Sequence, residues 1–249
     1  MAMTDMSEAL TAVRESQRAL TTVISAVEHA REEDLAAPSL LPDWTRGHVL
    51  AHIDGITRAL ARQLEYAARG STIEVYDGGR AGRAAAIEAG ATRSAAEHVA
   101  ALSEAQSMHR RLWPGEESQL WHVPVTYRDG TVVDLALAWW RETNIHLVDL
   151  DWGVTAEEAW SQALQEHVLD FLSVRLPAGP QTELDGFEPS VRYVVGAGAA
   201  HRGQPAVTVT GPLASLTGWL AGRTVHPRPI ATSAGQTVDL PELGPWPAR

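Results

Sequence analysis

The stretch Trp139–Trp152, WWRETNIHLVDLDW, has the apolar spacing of a buried helix, yet ionisable side chains lie on the same face. Residues three and four positions apart share one side of an α-helix. That face, extended back by one turn, holds Leu135, Ala138, Glu142, Ile145, His146 and Asp149. A buried carboxylate is costly unless it is paired or binds a metal. Because Glu142 and His146 are one helical turn apart, both side chains can point at a single ion.

A companion stretch, Asp43–Ile56, DWTRGHVLAHIDGI, repeats the pattern with histidines. Its shared face holds His48, Val49, His52, Ile53 and Ile56. Catalytic zinc sites usually take three protein ligands and keep one position open, so His52, Glu142 and His146 form a candidate set. The spacing equally fits a Glu–His pair that only stabilises its helix.

Two neighbours leave the ligand set open at this level. His48 shares the face of His52 and is a competing ligand. Asp149 can either reach the ion or orient a ligand histidine from behind, as carboxylates commonly do in metal sites. We expect the nearby Trp44 and Trp139 to be packing residues, with pocket lining as the alternative.

The charge of the chain restricts its partners. It has 20 basic and 31 acidic residues and a formal net charge of −11, which argues against nucleic acid and anionic membrane surfaces as partners. We find no run of 18 apolar residues and no signal peptide. We therefore expect a cytoplasmic protein with small-molecule partners, and the oligomeric state stays open.

Two residue types are absent from the sequence, and each absence excludes chemistry. Without cysteine there is no disulfide, no thiolate zinc site and no cysteine nucleophile. Without lysine there is no Schiff base with a carbonyl substrate and no ordinary P-loop. Any thiol chemistry must therefore use the thiol of a cofactor.

The hydrophobic pattern predicts a mainly α protein with an α+β C-terminal part. Four long amphipathic helices are the usual content of a helical bundle, and they are expected at Ser7–Glu33, Asp43–Arg69, Ser94–Leu112 and from Asp134 onward. The composition changes after Gly153. We therefore predict two domains, a four-helix bundle over residues 1–153 and a small α+β domain over 154–249.

Several shorter elements are also predicted. Gln119–Tyr127 and Thr131–Val133 flank a turn signal typical of a hairpin. One helix is expected from Thr155 to about Leu176, and another over Pro212–Ala221. Strands are expected at Val191–Val195, Ala206–Thr210 and Gln236–Leu240, and the rest of the tail from Pro227 reads as loop.

Three segments resemble a known family. LLPDWTRGHVLAHI (Leu40–Ile53) and RETNIHLVDLDWG (Arg141–Gly153) are similar to the two signature segments of the mycothiol-dependent maleylpyruvate isomerase family, which belongs to the DinB-like four-helix superfamily. GPLASLTGWLAGR (Gly211–Arg223) is similar to its C-terminal motif. The resemblance covers most of the chain and implies a DinB-like four-helix bundle followed by a small α+β domain.

The resemblance also implies site residues. The metal ligands of the family fall on His52, Glu142 and His146, and His48 becomes a hydrogen-bonded histidine of the bundle. Arg83 in RAAAIE and Arg223 correspond to functional arginines, the second sent from the small domain towards the metal cleft. Arg80 is the alternative to Arg83, and Tyr76 is a further residue of the substrate and cofactor site.

The implied activity is a cis–trans isomerisation that uses zinc, or another divalent metal, and mycothiol. A thiolate activated by the metal adds to the cis double bond of maleylpyruvate, the bond rotates, and elimination of the thiol leaves fumarylpyruvate. Arginines hold the substrate carboxylates. A metal-dependent mycothiol S-transferase is the alternative enzyme, and a non-catalytic ligand- or partner-binding bundle is the alternative from another class.

Overall fold

The computed structural model describes residues 2–178, 181–195 and 207–247. The chain divides into two compact units, Met1–Thr155 and Ala156–Arg249. The first is helical, and the second combines helices with a five-stranded sheet. The predicted fold class, a helical bundle followed by an α+β part, is confirmed. That each unit is a separately folding domain stays a prediction.

The first unit is built on four long helices. α1 packs against α5 and α6, and α3 packs against the same two helices, which closes a four-helix bundle. The described helices of this unit are α1 (Ala2–Glu28), α2 (Glu32–Ala36), α3 (Arg46–Ala67), α4 (Gly79–Ala91), α5 (Ala95–Leu112) and α6 (Val132–Asp149).

The bundle core is aromatic and aliphatic. Its largest fully buried side chains include Trp121, Trp139, Trp140, Leu50 and Leu135. Full burial of one large apolar side chain contributes about 1.5–3 kcal/mol, so this core holds α3 and α6 side by side. The expectation that Trp139 is a packing residue is confirmed by its complete burial.

The short helix α4 lies close against α3 because glycines remove side chains at their contact. A Cβ atom on Gly47 of α3 would overlap the carbonyl oxygen of Ala91 in α4. A Cβ atom on Gly90 of α4 would lie 2.8 Å from the Cβ of Ala51. The two backbones therefore approach closely, and this brings the side chains of α4 within reach of α3.

Two predictions in the first unit hold only in part. The first helix ends at Glu28 and a separate short helix, α2, follows. The predicted hairpin is reduced to a single antiparallel bridge between Pro124 and Thr131, beside two 3₁₀ turns, Gln119–His122 and Tyr127–Asp129. Backbone N–H groups of Val125 and Val132 still donate across the turn to the carbonyls of Gly130 and Val123, whereas those of Thr126 and Tyr127 donate to Oε1 of Gln63 at 3.0 and 3.3 Å.

The second unit is an α+β structure. In its sheet β1 pairs antiparallel with β2 and parallel with β3, β3 pairs antiparallel with β4, and β4 with β5. α9 packs against β1, β3 and α8. The described elements are α7 (Ala156–Ala159), α8 (Gln162–Leu172), β1 (Thr182–Phe187), β2 (Val191–Val195), β3 (Val207–Pro212), α9 (Leu213–Leu220), β4 (Ile230–Ser233) and β5 (Gln236–Val238).

The helix expected from Thr155 is divided into α7 and α8, because Ser161 caps a new helix by accepting a hydrogen bond from the N–H of Leu164. Two strands, β1 and β4, were not predicted, and β4 lies in the tail that reads as loop. The other predicted strands and α9 are confirmed, although Ala206 lies outside the described residues.

Within the described ranges, no helix combines the length and the apolarity that a membrane crossing needs. The cytoplasmic location stays a prediction.

Candidate metal centre

Helix caps set the positions of the candidate ligands. α6 begins with a capping box in which the backbone N–H and hydroxyl of Thr131 contact Oδ2 of Asp134 at 2.7 and 3.0 Å. Asp134 therefore stands three residues inside the helix and not at the cap. From this start, Glu142 and His146 fall on the side of α6 that faces α3. α3 carries His52 two turns after its own cap at Thr45.

The three predicted ligands converge in space. Nε2 of His52 lies 2.9 Å from Oε2 of Glu142 and 3.0 Å from Nε2 of His146. Nε2 of His146 lies 3.4 Å from the same carboxylate oxygen. In the part of the chain that the structure describes, this is the one group of three His, Asp or Glu side chains with ligand atoms this close together.

The two neighbours that the sequence left open have distinct positions. Oδ2 of the buried Asp149 lies 2.8 Å from Nδ1 of His146, so this carboxylate contacts the histidine and not the convergent atoms. Nδ1 of His48 lies 2.7 Å from the hydroxyl of Thr45 and accepts from the Thr45 N–H at 3.2 Å. His48 therefore belongs to the cap of α3, as the family resemblance implies.

Burial and hydrogen bonds shift the pKa of each convergent group. Burial, followed by the charge of His146, lowers the pKa of His52 to about 4. Burial would raise the pKa of Glu142, but the hydrogen bonds with His146 and His52 outweigh it and hold that pKa well below its ordinary value. Burial also opposes the charged form of His146, yet Asp149 and Glu142 raise its pKa to about 9. The carboxylate is therefore an ionised acceptor.

The donor set fits a divalent metal ion such as zinc. Two imidazole nitrogens and one carboxylate oxygen are the ligand types that zinc takes in catalytic sites. The carboxylate behind His146 also matches the outer partner that ligand histidines usually have. These residues can hold an ion and leave further coordination positions to other groups.

An arginine and a tyrosine complete the surroundings of His52. Nη2 of Arg83, on α4, lies 3.1 Å from Nδ1 of His52. The same guanidinium stands 5.9 Å from the ring centre of Tyr76. Burial, then the negative charge of Glu142, raises the pKa of Tyr76 to about 12. Arg80, one turn earlier on α4, is exposed. Of the two alternatives it is therefore Arg83 that reaches the candidate site.

A second tyrosine–arginine pair was missed by the sequence reasoning. Arg141 is buried and hydrogen-bonded to Tyr127. Burial and the charge of Glu142 raise the pKa of Tyr127. An arginine in a helix is usually an exposed residue, so the sequence gives little sign that Arg141 is buried. The one available signal is its position directly before the candidate ligand Glu142.

Trp44 and Arg223 are the remaining predicted site residues. The ring of Trp44 meets that of His52 edge-on, with centroids 5.7 Å apart, so Trp44 borders the candidate site. Arg223 belongs to the second unit, just beyond α9. Its Nη1 donates to the carbonyl of Ala221 at 2.5 Å, and its guanidinium stands 6.0 Å from the ring centre of Trp246.

A family model described as the mycothiol maleylpyruvate isomerase N-terminal domain matches residues 6–151, more than half of the chain. The chain belongs to this family. The matched residues include His52, Glu142 and His146. A search among curated proteins found no match.

Two solved structures resemble this chain over nearly its full length. One is a crystal structure of the mycothiol-dependent maleylpyruvate isomerase, with 23% identity and a TM-score of 0.71. The other is a histidine-to-alanine mutant of that isomerase, with 22% identity and a TM-score of 0.72. Each alignment covers 95% of this chain and 94% of the other chain. At this identity the likeness shows a common fold over both units.

Proposed function

We propose that this protein is a metal-dependent, mycothiol-using isomerase that converts maleylpyruvate to fumarylpyruvate. The observation that carries the proposal is the convergence of His52, Glu142 and His146 within hydrogen-bond distance of one another. Membership of the isomerase family supports the thiol cofactor. The absence of cysteine from the chain agrees with a thiol that comes from outside.

When bound, a divalent ion at this site would supply Lewis acidity and lower the pKa of a cofactor thiol, so that a thiolate is available near neutral pH. His52, Glu142 and His146 would hold the ion. Asp149 keeps His146 in one ring orientation through the contact at Nδ1. The bulky ring of Trp44 beside His52 would limit the access of water.

Charged and polar side chains would position the substrate. An arginine presents a planar fork of donors that matches a carboxylate, and Arg83 is the arginine that contacts the ligand set. Tyr76 stands beside it and offers a hydroxyl that stays protonated, because its pKa is raised to about 12. We propose Arg223, in the second unit, as the second arginine that turnover requires.

The decisive experiment is an assay of the zinc-loaded protein with mycothiol and maleylpyruvate. Appearance of fumarylpyruvate supports the isomerase. A stable thioether in its place would identify an S-transferase, and no reaction with any electrophile would favour the non-catalytic alternative. His52→Ala should lose both zinc and turnover. The matched control is His48→Ala, which removes a histidine from the same helix and should keep the zinc.

The arginine roles need their own variants. Loss of a charge-assisted hydrogen bond to a bound carboxylate lowers kcat/KM by roughly ten- to a hundredfold, and we expect this for Arg83→Ala and Arg223→Ala. Lysine should rescue little, because it cannot reproduce the fork. Wild-type kinetics in both alanine variants would contradict a role of the arginines in substrate binding.

A further inference from the structure

The ring of His52 is held between a group that can only donate and a group that can only accept. Nδ1 faces Nη2 of Arg83 at 3.1 Å, and Nε2 faces Oε2 of Glu142 at 2.9 Å. A guanidinium has no acceptor atom, whereas an ionised carboxylate has no donor. The neutral imidazole must therefore accept at Nδ1 and carry its proton on Nε2. Nε2 of His146 lies 3.0 Å from the same nitrogen and is compatible with this tautomer when the proton of His146 is on Nδ1, beside Asp149.

A metal ion requires the opposite tautomer. Nε2 is the nitrogen of His52 that faces Glu142 and His146, so it must offer its lone pair to an ion held by all three. The proton then moves to Nδ1, where it would point at the N–H groups of Arg83. Two donors facing each other at this distance repel, and the hydrogen bond between His52 and Arg83 cannot persist.

The other ligand histidine shows the contrast. Nδ1 of His146 contacts the Asp149 carboxylate at 2.8 Å, and a carboxylate accepts the N–H that a metal-bound histidine presents there. Asp149 thus favours the metal-binding tautomer of His146. Arg83 disfavours the metal-binding tautomer of His52. Asp149 and Arg83 nevertheless occupy equivalent positions, each beside Nδ1 of a candidate ligand histidine.

We propose that Arg83 and a metal ion bind His52 in mutually exclusive arrangements, so that metal binding releases the Arg83 guanidinium for an anionic ligand. The inference rests on the proposed metal centre. Tyr76 provides a second contact for the released group, because its ring already lies 5.9 Å from the guanidinium. Coupling of this kind is reciprocal, so a carboxylate that engages Arg83 should also strengthen metal binding.

The first test uses no metal. In the metal-free protein, nitrogen NMR of the imidazole rings reports which nitrogen of His52 is protonated, with the signals assigned by their loss in His52→Ala. We expect the proton on Nε2 in the wild type and a shift towards Nδ1 in Arg83→Gln, because a glutamine carbonyl can accept from Nδ1. A proton on Nδ1 in the metal-free wild type would overturn the inference.

The second test measures zinc affinity by chelator competition. Partners behind ligand histidines change metal affinity by about 10–100-fold, and here removal of the partner should strengthen binding, so Arg83→Ala should bind zinc about tenfold more tightly. Arg83→Gln should bind more tightly still, whereas an effect of charge alone would make these two variants equal. Arg80→Ala removes the same charge from an exposed position of α4 and should leave the affinity close to that of the wild type.

The outcomes separate the inference from the proposed metal centre. If the wild type binds zinc and Arg83→Ala binds it equally or more weakly, the competition is wrong and the metal centre stands. If the wild type binds no zinc, the metal centre itself is wrong and the competition falls with it. Tighter binding in Arg83→Ala, together with the Nε2 tautomer in the metal-free wild type, would support both.

Discussion

Nδ1 of His146 lies 2.8 Å from Oδ2 of Asp149, whose side chain is completely buried three residues further along α6. A buried carboxylate without a partner is costly, so this contact serves both groups. It fixes the ring of His146 and leaves Nε2 directed at His52 and Glu142.

Asp149→Asn should therefore weaken zinc binding. The neutral amide accepts a weaker hydrogen bond than the carboxylate, and loss of such a partner typically costs 10–100-fold, about one to two orders of magnitude, in metal affinity. Chelator competition measures the change. Asp151→Asn, at a more exposed position two residues away, is the matched control. Equal affinities of Asp149→Asn and the wild type would contradict the orienting role.

Gly47→Ala should destabilise the first unit, although alanine is the better helix former. The added Cβ would overlap the backbone carbonyl of Ala91, so α4 must move away from α3. Overpacking of this kind costs about 1–3 kcal/mol. Gly55→Ala on the same helix meets no atom within 4 Å and should stabilise by about 0.5–1 kcal/mol.

Urea unfolding of both glycine variants gives the comparison. Because α4 carries Arg83, Gly47→Ala should also disturb the contact of Arg83 with His52, which the imidazole NMR signals report. Stabilisation of equal size in the two variants would show that the close approach of α3 and α4 can relax without cost.

Asp54→Asn should destabilise the bundle without affecting the candidate ligands. The buried Asp54 carboxylate accepts from Nε of Arg58 on its own helix at 2.7 Å and from Nη1 of Arg93 at 2.9 Å, and so ties α3 to the segment between α4 and α5. Weakening these charge-assisted bonds should cost about 1.5–3 kcal/mol.

Asp77→Asn is the matched control for Asp54→Asn. Asp77 also pairs with an arginine, Arg62, at 2.6 Å, but its side chain is 89% exposed. Exposed ion pairs contribute about 0–1 kcal/mol, so this variant should stay within that range. Equal losses of unfolding free energy in the two variants would mean that burial does not decide the strength of the Asp54 pairs.

His109 should make the protein less stable in acid. Nε2 of this buried histidine donates to the Thr57 carbonyl at 2.6 Å, and the ring stacks on Trp139. Burial, only partly opposed by the Thr57 hydrogen bond, lowers the pKa of His109 from 6.5 to about 4. The unfolded chain therefore binds a proton at pH values where the folded protein does not.

The contribution of His109 is complete above pH 6.5 and is lost as the pH falls from 6.5 to about 4, by at most about 1.4 kcal/mol per pH unit. Burial also lowers the pKa of His98 to about 4, so the two histidines act in the same direction. Unfolding free energies of His109→Gln between pH 7.5 and pH 4.5, chosen as roughly the limits of the transition, should show a shallower slope than the wild type. Parallel curves would contradict the assignment.

Elements whose pattern is local could be predicted from the residues alone. The spacing of apolar residues along α3 and α6 identifies both helices, and the helical repeat places Glu142 and His146 on one face. The signature segments add His52, and the absence of cysteine requires an external thiol for thiol chemistry. None of these inferences depends on how distant segments meet.

Choices that depend on contacts between distant segments became clear only from the packing of the folded chain. His48 and His52 share a face of α3, but Nδ1 of His48 contacts the hydroxyl of the N-cap residue Thr45. Arg80 and Arg83 are equivalent in the sequence, and the close packing of α4 on α3 brings Arg83 to His52.

The same reason explains the elements that were missed. The hairpin is limited to one bridge, and the adjacent N–H groups of Thr126 and Tyr127 are bound to Gln63, which lies more than sixty residues earlier in the chain. β1 and β4 lie on either side of β3 in the sheet and pair with it along their whole length. The local sequence pattern shows which side of a helix or strand is apolar. The hydrogen-bond partner of each polar group depends instead on packing between segments far apart in the chain.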